Sequence, residues 1–488
     1  MIVSMRTTRK FSRRNYLALA ALSAAGVLIM TGPQVHAGQI WMDGGVITNP
    51  SYGDTYSTTG NNAHAADLMG KAHIIGASGW SFSTTGHASH GIYAVDAYFS
   101  GTDVTITTTG NGSCGVEVYY GIAEVDLTSS SITTSGDDAH GLFIWRNGTI
   151  KAASSTITTS GNNSHGLKAQ GGFLFGDDLQ VNSGAAGLFV EQNGSISVKD
   201  SNFDVAGPLV LVGLDGANSV TLDNVTASIG GGNLFQNSAN SSGGTTTLTL
   251  QNSDLAGNLS FVNGTTNGNS RGNVDLVNTT LTGMSQSKAN HGLAMSIDSD
   301  SRWNVAGAST LNSMLNNGML DLSGPASSLM VIKNANGTGG DFAQSSSGSL
   351  MLALNDMSYA AVTTTGSVSL SGGLYIILDD PLDGDFYVLF ENLGYDPSGD
   401  FDLGSFDSIT LNGYDIALAT DGSGEFTAGD ITGTFSYNGS AANGSLTGGY
   451  DLVMQITGSG GDGPAVPEPA SLSLLGLGAA ALISRRRK

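Results

Sequence analysis

One nine-residue pattern, returning at nearly constant intervals, restricts this chain more than any other feature. It reads Ser57-Thr-Thr-Gly-Asn-Asn-Ala-His64, then Ser83-Thr-Thr-Gly-His-Ala-Ser-His-Gly91, Thr107-Thr-Thr-Gly-Asn-Gly-Ser-Cys-Gly115, Thr133-Thr-Ser-Gly-Asp-Asp-Ala-His-Gly141 and Thr158-Thr-Ser-Gly-Asn-Asn-Ser-His-Gly166. The glycines at 60, 86, 110, 136 and 161 are separated by 26, 24, 26 and 25 residues. A period of this size marks a solenoid, in which each unit buries its apolar side against its neighbours. Propeller blades need about 40–50 residues per repeat, and the Leu/Asn consensus of leucine-rich repeats is missing.

Within one unit the residues alternate in strand fashion. Ser131-Ile132-Thr133-Thr134 leads to a polar turn at Gly136, then His140-Gly141-Leu142-Phe143-Ile144 opens another strand, and Asn147-Gly148 turns again. The period is two, and only the two ends of the chain show a helical pattern. Two or three short strands per coil of about 25 residues predict an all-β, right-handed parallel β-helix over residues 38–366. Later coils are more degenerate: Gly184-Ala-Ala-Gly-Leu-Phe-Val190, Val220–Val225, Thr245–Leu250 and Asn273–Leu281 are strand-like, and Asn290-His291-Gly292-Leu293 repeats the His-Gly-Leu element. From Gly366 the texture becomes acidic and aromatic. Residues 367–457 read as a β-rich C-terminal cap over the open end of the solenoid. About 13 coils, or roughly 60 Å of stalk, are expected between 40 and 365.

Composition supports this and excludes other classes. Glycine totals 71 and charged residues are only 12%, while 40% of the chain is hydrophobic, enough for a core. Helix formers are scarce and turn formers abundant. Cys114 is the single cysteine, so no intrachain disulfide can form.

Both ends look like address labels. Residues 1–37 read as a secretory signal: Arg6, Arg9, Lys10, Arg13 and Arg14 precede an apolar run from Tyr16 to Met30, and Val35-His36-Ala37 offers a cleavage site. Arg13-Arg14 fits a twin-arginine route, but the general secretory route is favoured. At the other end a Gly/Pro-rich linker, 458–469, holds Val466-Pro467-Glu468-Pro469. Ala470–Ile483 follows without a charge, and Arg485-Arg486-Arg487-Lys488 closes the chain. Prolines keep the triplet extended. These fourteen uncharged residues fall short of the about 20 apolar residues of a full span, so 470–488 predicts a short membrane helix with its cations on the cytoplasmic side.

This tail resembles the PEP-CTERM sorting signal of Gram-negative bacteria, with all three parts in order. The resemblance implies a membrane enzyme, an exosortase, that cleaves near Val466–Pro469 and releases or re-anchors the protein at the surface, often within extracellular polysaccharide. The repeats, together with Trp303, Val305, Gly307, Ser309, Leu311, Leu315, Gly318 and Leu320, resemble the β-helical passenger domains of autotransporter adhesins over residues 40–380. An autotransporter carries its own outer-membrane barrel. No such module is legible before Thr457, and the sorting signal stands in its place.

Loss of both ends removes nine of the 18 cations but only Glu468 of the 40 acids, leaving 9 against 39 and a net charge of −30. Such a chain repels phosphate backbones, so nucleic acid is excluded as a partner. His64, His90, His140 and His165, with Cys114 in register, could form a metal-binding ladder. Packing in a turn is the favoured reading, with Gly91, Gly141 and Gly166 supplying the bend, because no carboxylates back the ladder. No metal and no cofactor are assigned; a loose calcium site at Asp379–Asp385 is the minor option. Asp137-Asp138 and Asp177-Asp178 read as solvated turn acids, since no cation stands beside them as a lyase would need. The expectation is a non-enzymatic surface or matrix protein for adhesion or biofilm structure, with extracellular polysaccharide as its partner. The alternative is a secreted β-helix polysaccharide lyase or hydrolase.

Overall fold

The computed structural model describes residues 35–459, except 37, 49, 214, 265–268, 355–360, 379–380, 382–383, 394–403, 418–423, 441–443 and 447–450. The signal segment 1–34, the Pro-Glu-Pro linker and the terminal apolar segment lie outside the described residues. Among the described residues there are 49 strands and no helix. No helix among them is long and apolar enough to cross a membrane.

The strands wind as a parallel β-solenoid with three faces. The threonine face has nine strands, from Val35–His36 to Thr226–Ile229; the histidine face has 11, from Ile40–Asp43 to Ser285–Ser287; the long face has 14, from Val46–Thr48 to Val368–Ser369. At about 4.8 Å per step, 14 strands make a stack about 60 Å long. Two further sheets take over towards the C-terminus. One begins at Asp254–Ala256, the other at Ala308–Leu311.

The core follows from the alternation. Ile106, Ile132 and Ile157 are register partners on three successive coils, and all are fully buried. Their neighbours Thr105, Ser131 and Thr156 face solvent. Fully burying such a side chain contributes about 1.5–3 kcal/mol. The inward Thr108, Thr134 and Thr159 each donate to a carbonyl five residues on, at 2.5, 2.6 and 2.7 Å, which ties the strand to its turn.

The repeat glycines sit at bends of the chain and have two packing jobs. A Cβ on Gly86, Gly110, Gly136 or Gly161 would lie 1.9–2.0 Å from the carbonyl oxygen of the repeat glycine one coil earlier. Close backbone approach selects glycine there. At Gly91, Gly141 and Gly166 a Cβ would meet Ile106 Cγ2, Ile157 Cγ2 or Val181 Cγ1 at 2.2, 2.4 and 2.6 Å. The chain bends at all three, as expected, but none has a positive φ, so close packing rather than backbone conformation selects glycine there. The turn itself is made two residues after the repeat glycine. Asn62, Ala88, Gly112, Asp138 and Asn163 all sit there at φ between 49° and 64°, a region that Asn, Asp and Gly tolerate best.

Trp303 is buried, and its Nε1 donates to the Gly283 carbonyl at 3.0 Å. The His-Gly-Leu element at 291–293 leads into Gly292–Ile297, a strand of the long face rather than the histidine face. The parallel stack continues past residue 366. Gly373–Ile377 pairs in parallel with Ser349–Ala353 and with Ser408–Leu411. Antiparallel pairing begins at Phe386–Asn392 with Asp451–Ser459, followed by Ile431–Gly439 and Gly424–Ala428. Those strands cover the last coils.

Candidate functional site: the histidine face

The repeat histidines stand in register at the start of the histidine-face strands, as their spacing predicts. Each Nδ1 accepts the backbone N–H one coil further on: His64 from His90 at 3.0 Å, His90 from Cys114 at 3.0 Å, His140 from His165 at 3.1 Å and His165 from Ala186 at 3.2 Å. The ladder stops where Cys114 and Ala186 offer no ring nitrogen. Burial holds His64 and His165 neutral, with pKa values lowered to about 3; burial, then Lys168, lowers that of His140.

Three side chains gather inside this ladder. His90 Nε2 lies 2.8 Å from Glu117 Oε2, and Cys114 completes a buried group whose ligand atoms all fall within 4.8 Å of one another. This corrects the expectation that no carboxylate backs the ladder. The trio is nevertheless a poor cation site. A backbone N–H can only donate, so Nδ1 of His90 has no proton and Nε2 carries it. That proton points at Glu117, and a metal at Nε2 would require an imidazolate. Burial also pushes the Cys114 thiol well up, away from the thiolate that ligates metals.

Outside the ladder, aromatic and charged residues alternate up the face. Trp41, Asp67, Tyr93, Glu117, Phe143 and Lys168 are successive register partners. His64 stacks on Tyr93 with centroids 4.4 Å apart, Tyr93 meets Tyr119 at 5.8 Å, and Tyr119 meets Trp145 at 6.0 Å. Trp41, Tyr119 and Tyr120 are 54%, 41% and 56% exposed. Lys168 Nζ lies 5.1 and 4.7 Å from the ring centroids of Phe143 and Phe189, and 3.6 Å from Glu191. Asp67 Oδ1 is buried without a hydrogen-bond partner among the described residues, and burial lifts the carboxyl to about 6. The sequence reading missed this strip. Its register partners lie 24–26 residues apart and differ in type from coil to coil, so no motif repeats.

The aspartates fall elsewhere. Asp137 Oδ1 accepts from the Asn162 backbone at 2.9 Å and Asp138 from the Asn163 side chain, bonds that link neighbouring turns. Asp178 helps line an open groove of about 440 Å³ with Asp200, Gln180, Asn202 and Asn224, and no aromatic side chain joins them. Contrary to expectation a cation does stand beside one pair, since Lys199 is the cross-strand partner of Asp177. Asn224, then Lys199, hold the Asp200 carboxyl below its ordinary range. Of the proposed calcium loop, Asp379, Asp380 and Asp383 lie outside the described residues, and Asp385 accepts from the Tyr387 hydroxyl at 3.1 Å.

Stacked parallel coils with three chemically distinct faces define an elongated parallel β-solenoid. The crystal structure of the autotransporter UpaB from E. coli strain CFT073 has this fold: it matches with a TM-score of 0.52 at 11% identity, over 87% of this chain and 100% of that one. Residues 465–488 match the PEP-CTERM protein-sorting motif, which contains both Val466–Pro469 and Arg485–Lys488. No curated protein matches the sequence. The chain is thus an exported protein with a PEP-CTERM sorting signal and an autotransporter-like β-helix, and the motif implies exosortase processing.

Proposed function

We propose that this protein is a non-enzymatic structural or adhesive component of the Gram-negative cell surface or extracellular matrix, held in contact with extracellular polysaccharide. The sorting motif at 465–488 carries the reading, because it attaches a surface address to a stiff, acidic stack. The half-exposed aromatic strip supports polysaccharide contact, since rings such as Tyr119 and Trp145 present flat apolar faces beside polar groups. A hydrolase has less support. It needs one carboxyl held protonated opposite another, and in the groove Asp200 is pulled the other way.

Deletion of residues 466–488 followed by fractionation tests the address. The full chain is expected in the surface or matrix fraction and the truncated chain elsewhere; an unchanged distribution overturns the proposal. For the contact, Tyr119→Ala with Trp145→Ala should weaken retention on the producing strain's polysaccharide about fivefold, for about 1 kcal/mol of lost ring contact.

A further inference from the structure

We propose that the threonine face is an ice-binding surface, whose occupant is the ordered water of an ice crystal. Thr105 and Thr107 stand over Ser131 and Thr133 on the next coil, which stand over Thr156 and Thr158 on the one after. The two preceding coils present Thr55 with Ser57 and Ser81 with Ser83 in the same register. These ten hydroxyls form two straight columns over five coils. A third exposed hydroxyl extends each row, at Thr59, Thr85, Thr109, Ser135 and Ser160.

Three properties separate this grid from an ordinary polar surface. The four strand pairs are in unbroken register, so the array is regular. It repeats at about 4.8 Å from coil to coil and about 6.7 Å along a strand. Water oxygens on the prism face of ice repeat at two similar translations. None of the ten column hydroxyls bonds within the described chain, whereas the inward Thr84, Thr108 and Thr134 are all tied to turn carbonyls. Finally, the grid holds no charge, while charged residues occur on both other faces.

The physics favours a crystal over a soluble ligand. A hydroxyl that bonds a dissolved sugar gives up an equivalent bond to water, so the net gain is small. Water already fixed on a matching lattice can meet every hydroxyl at once, and threonine methyl groups between them exclude looser water. Threonine is also stiff at χ1, so little rotamer freedom is lost. The array ends where Gln180 and Asn182 replace the hydroxyls, on the coil above Thr156 and Thr158. The inference is independent of the adhesion reading.

The test uses the purified full chain, with thermal hysteresis and ice recrystallisation inhibition as readouts. The wild type should shape ice crystals and open a freezing gap that a non-binding protein at equal concentration does not. Thr107→Lys with Thr133→Lys should abolish both effects at an unchanged circular dichroism spectrum. Thr249→Lys, on the long face, should leave them intact. Ser83→Thr with Ser131→Thr should widen the gap, which decides the matter if the lysine variant misfolds. No activity in the wild type, full activity in the folded lysine variant, or adsorption to crystalline polysaccharide but not to ice overturns the proposal.

Discussion

The repeat histidine acts as a coupling between coils rather than as a ligand. Its Nδ1 takes a backbone N–H that would otherwise be buried and unpaired, which costs about 1–3 kcal/mol. The role works only for the neutral ring and therefore has a pH signature. His64 and His165 titrate at about 3 in the fold against 6.5 in the open chain, so between those values the unfolded state binds more protons. Stability is complete above about pH 6.5 and is lost as the pH falls towards 3, by up to about 1.4 kcal/mol per pH unit for each histidine. Asp67 opposes this. Its carboxyl is raised from 3.8 to about 6, so its contribution is present below 3.8 and lost as the pH rises through 6. The histidines outnumber it, and the urea midpoint should drop between pH 6.5 and 4. His165→Asn keeps an acceptor but cannot titrate, and should flatten the slope; an unchanged slope would refute the coupling role.

At the level of the coil, two glycine columns set how tightly the turns stack. Gly136→Ala places a methyl group 2.0 Å from a carbonyl oxygen of the coil below, and backbone cannot swing aside. A loss of at least about 3 kcal/mol is expected by denaturant titration. Gly112→Ala meets nothing within 4 Å and bears only its positive φ, so it should cost about 1 kcal/mol. Equal losses would mean that stacking distance does not select the repeat glycine. The repeats were legible because each glycine, threonine and histidine answers to its own copy about 25 residues away. Glu117 beside His90 was not, because their contact joins different positions of two coils. The partner of Phe386–Asn392 was not legible either: it lies at Asp451–Ser459, and alternation alone does not name a strand's neighbour.

Across the whole molecule, stability is close to a sum over neighbouring coils, and the ends matter most. Removing residues 424–459 would uncover the edge of Phe386–Asn392. Unpaired edges recruit other chains, and light scattering should show aggregation of this truncation but not of the full chain; a monodisperse product would show that the antiparallel strands are dispensable as a cover. Over the early coils each face has its own chemistry: hydroxyls on one, rings and histidines on another. The unbroken register of the early coils has a further consequence, which is genetic. Because Gly60, Gly86, Gly110, Gly136 and Gly161 occupy equivalent places, unequal recombination between their coding repeats adds or removes a whole coil and preserves the backbone ladder and the glycine column, though not cross-coil pairs of unlike residues such as His90 with Glu117. The reach of the protein can therefore vary between lineages in increments of one strand spacing, and the number of ring and hydroxyl rows on its surface varies with it.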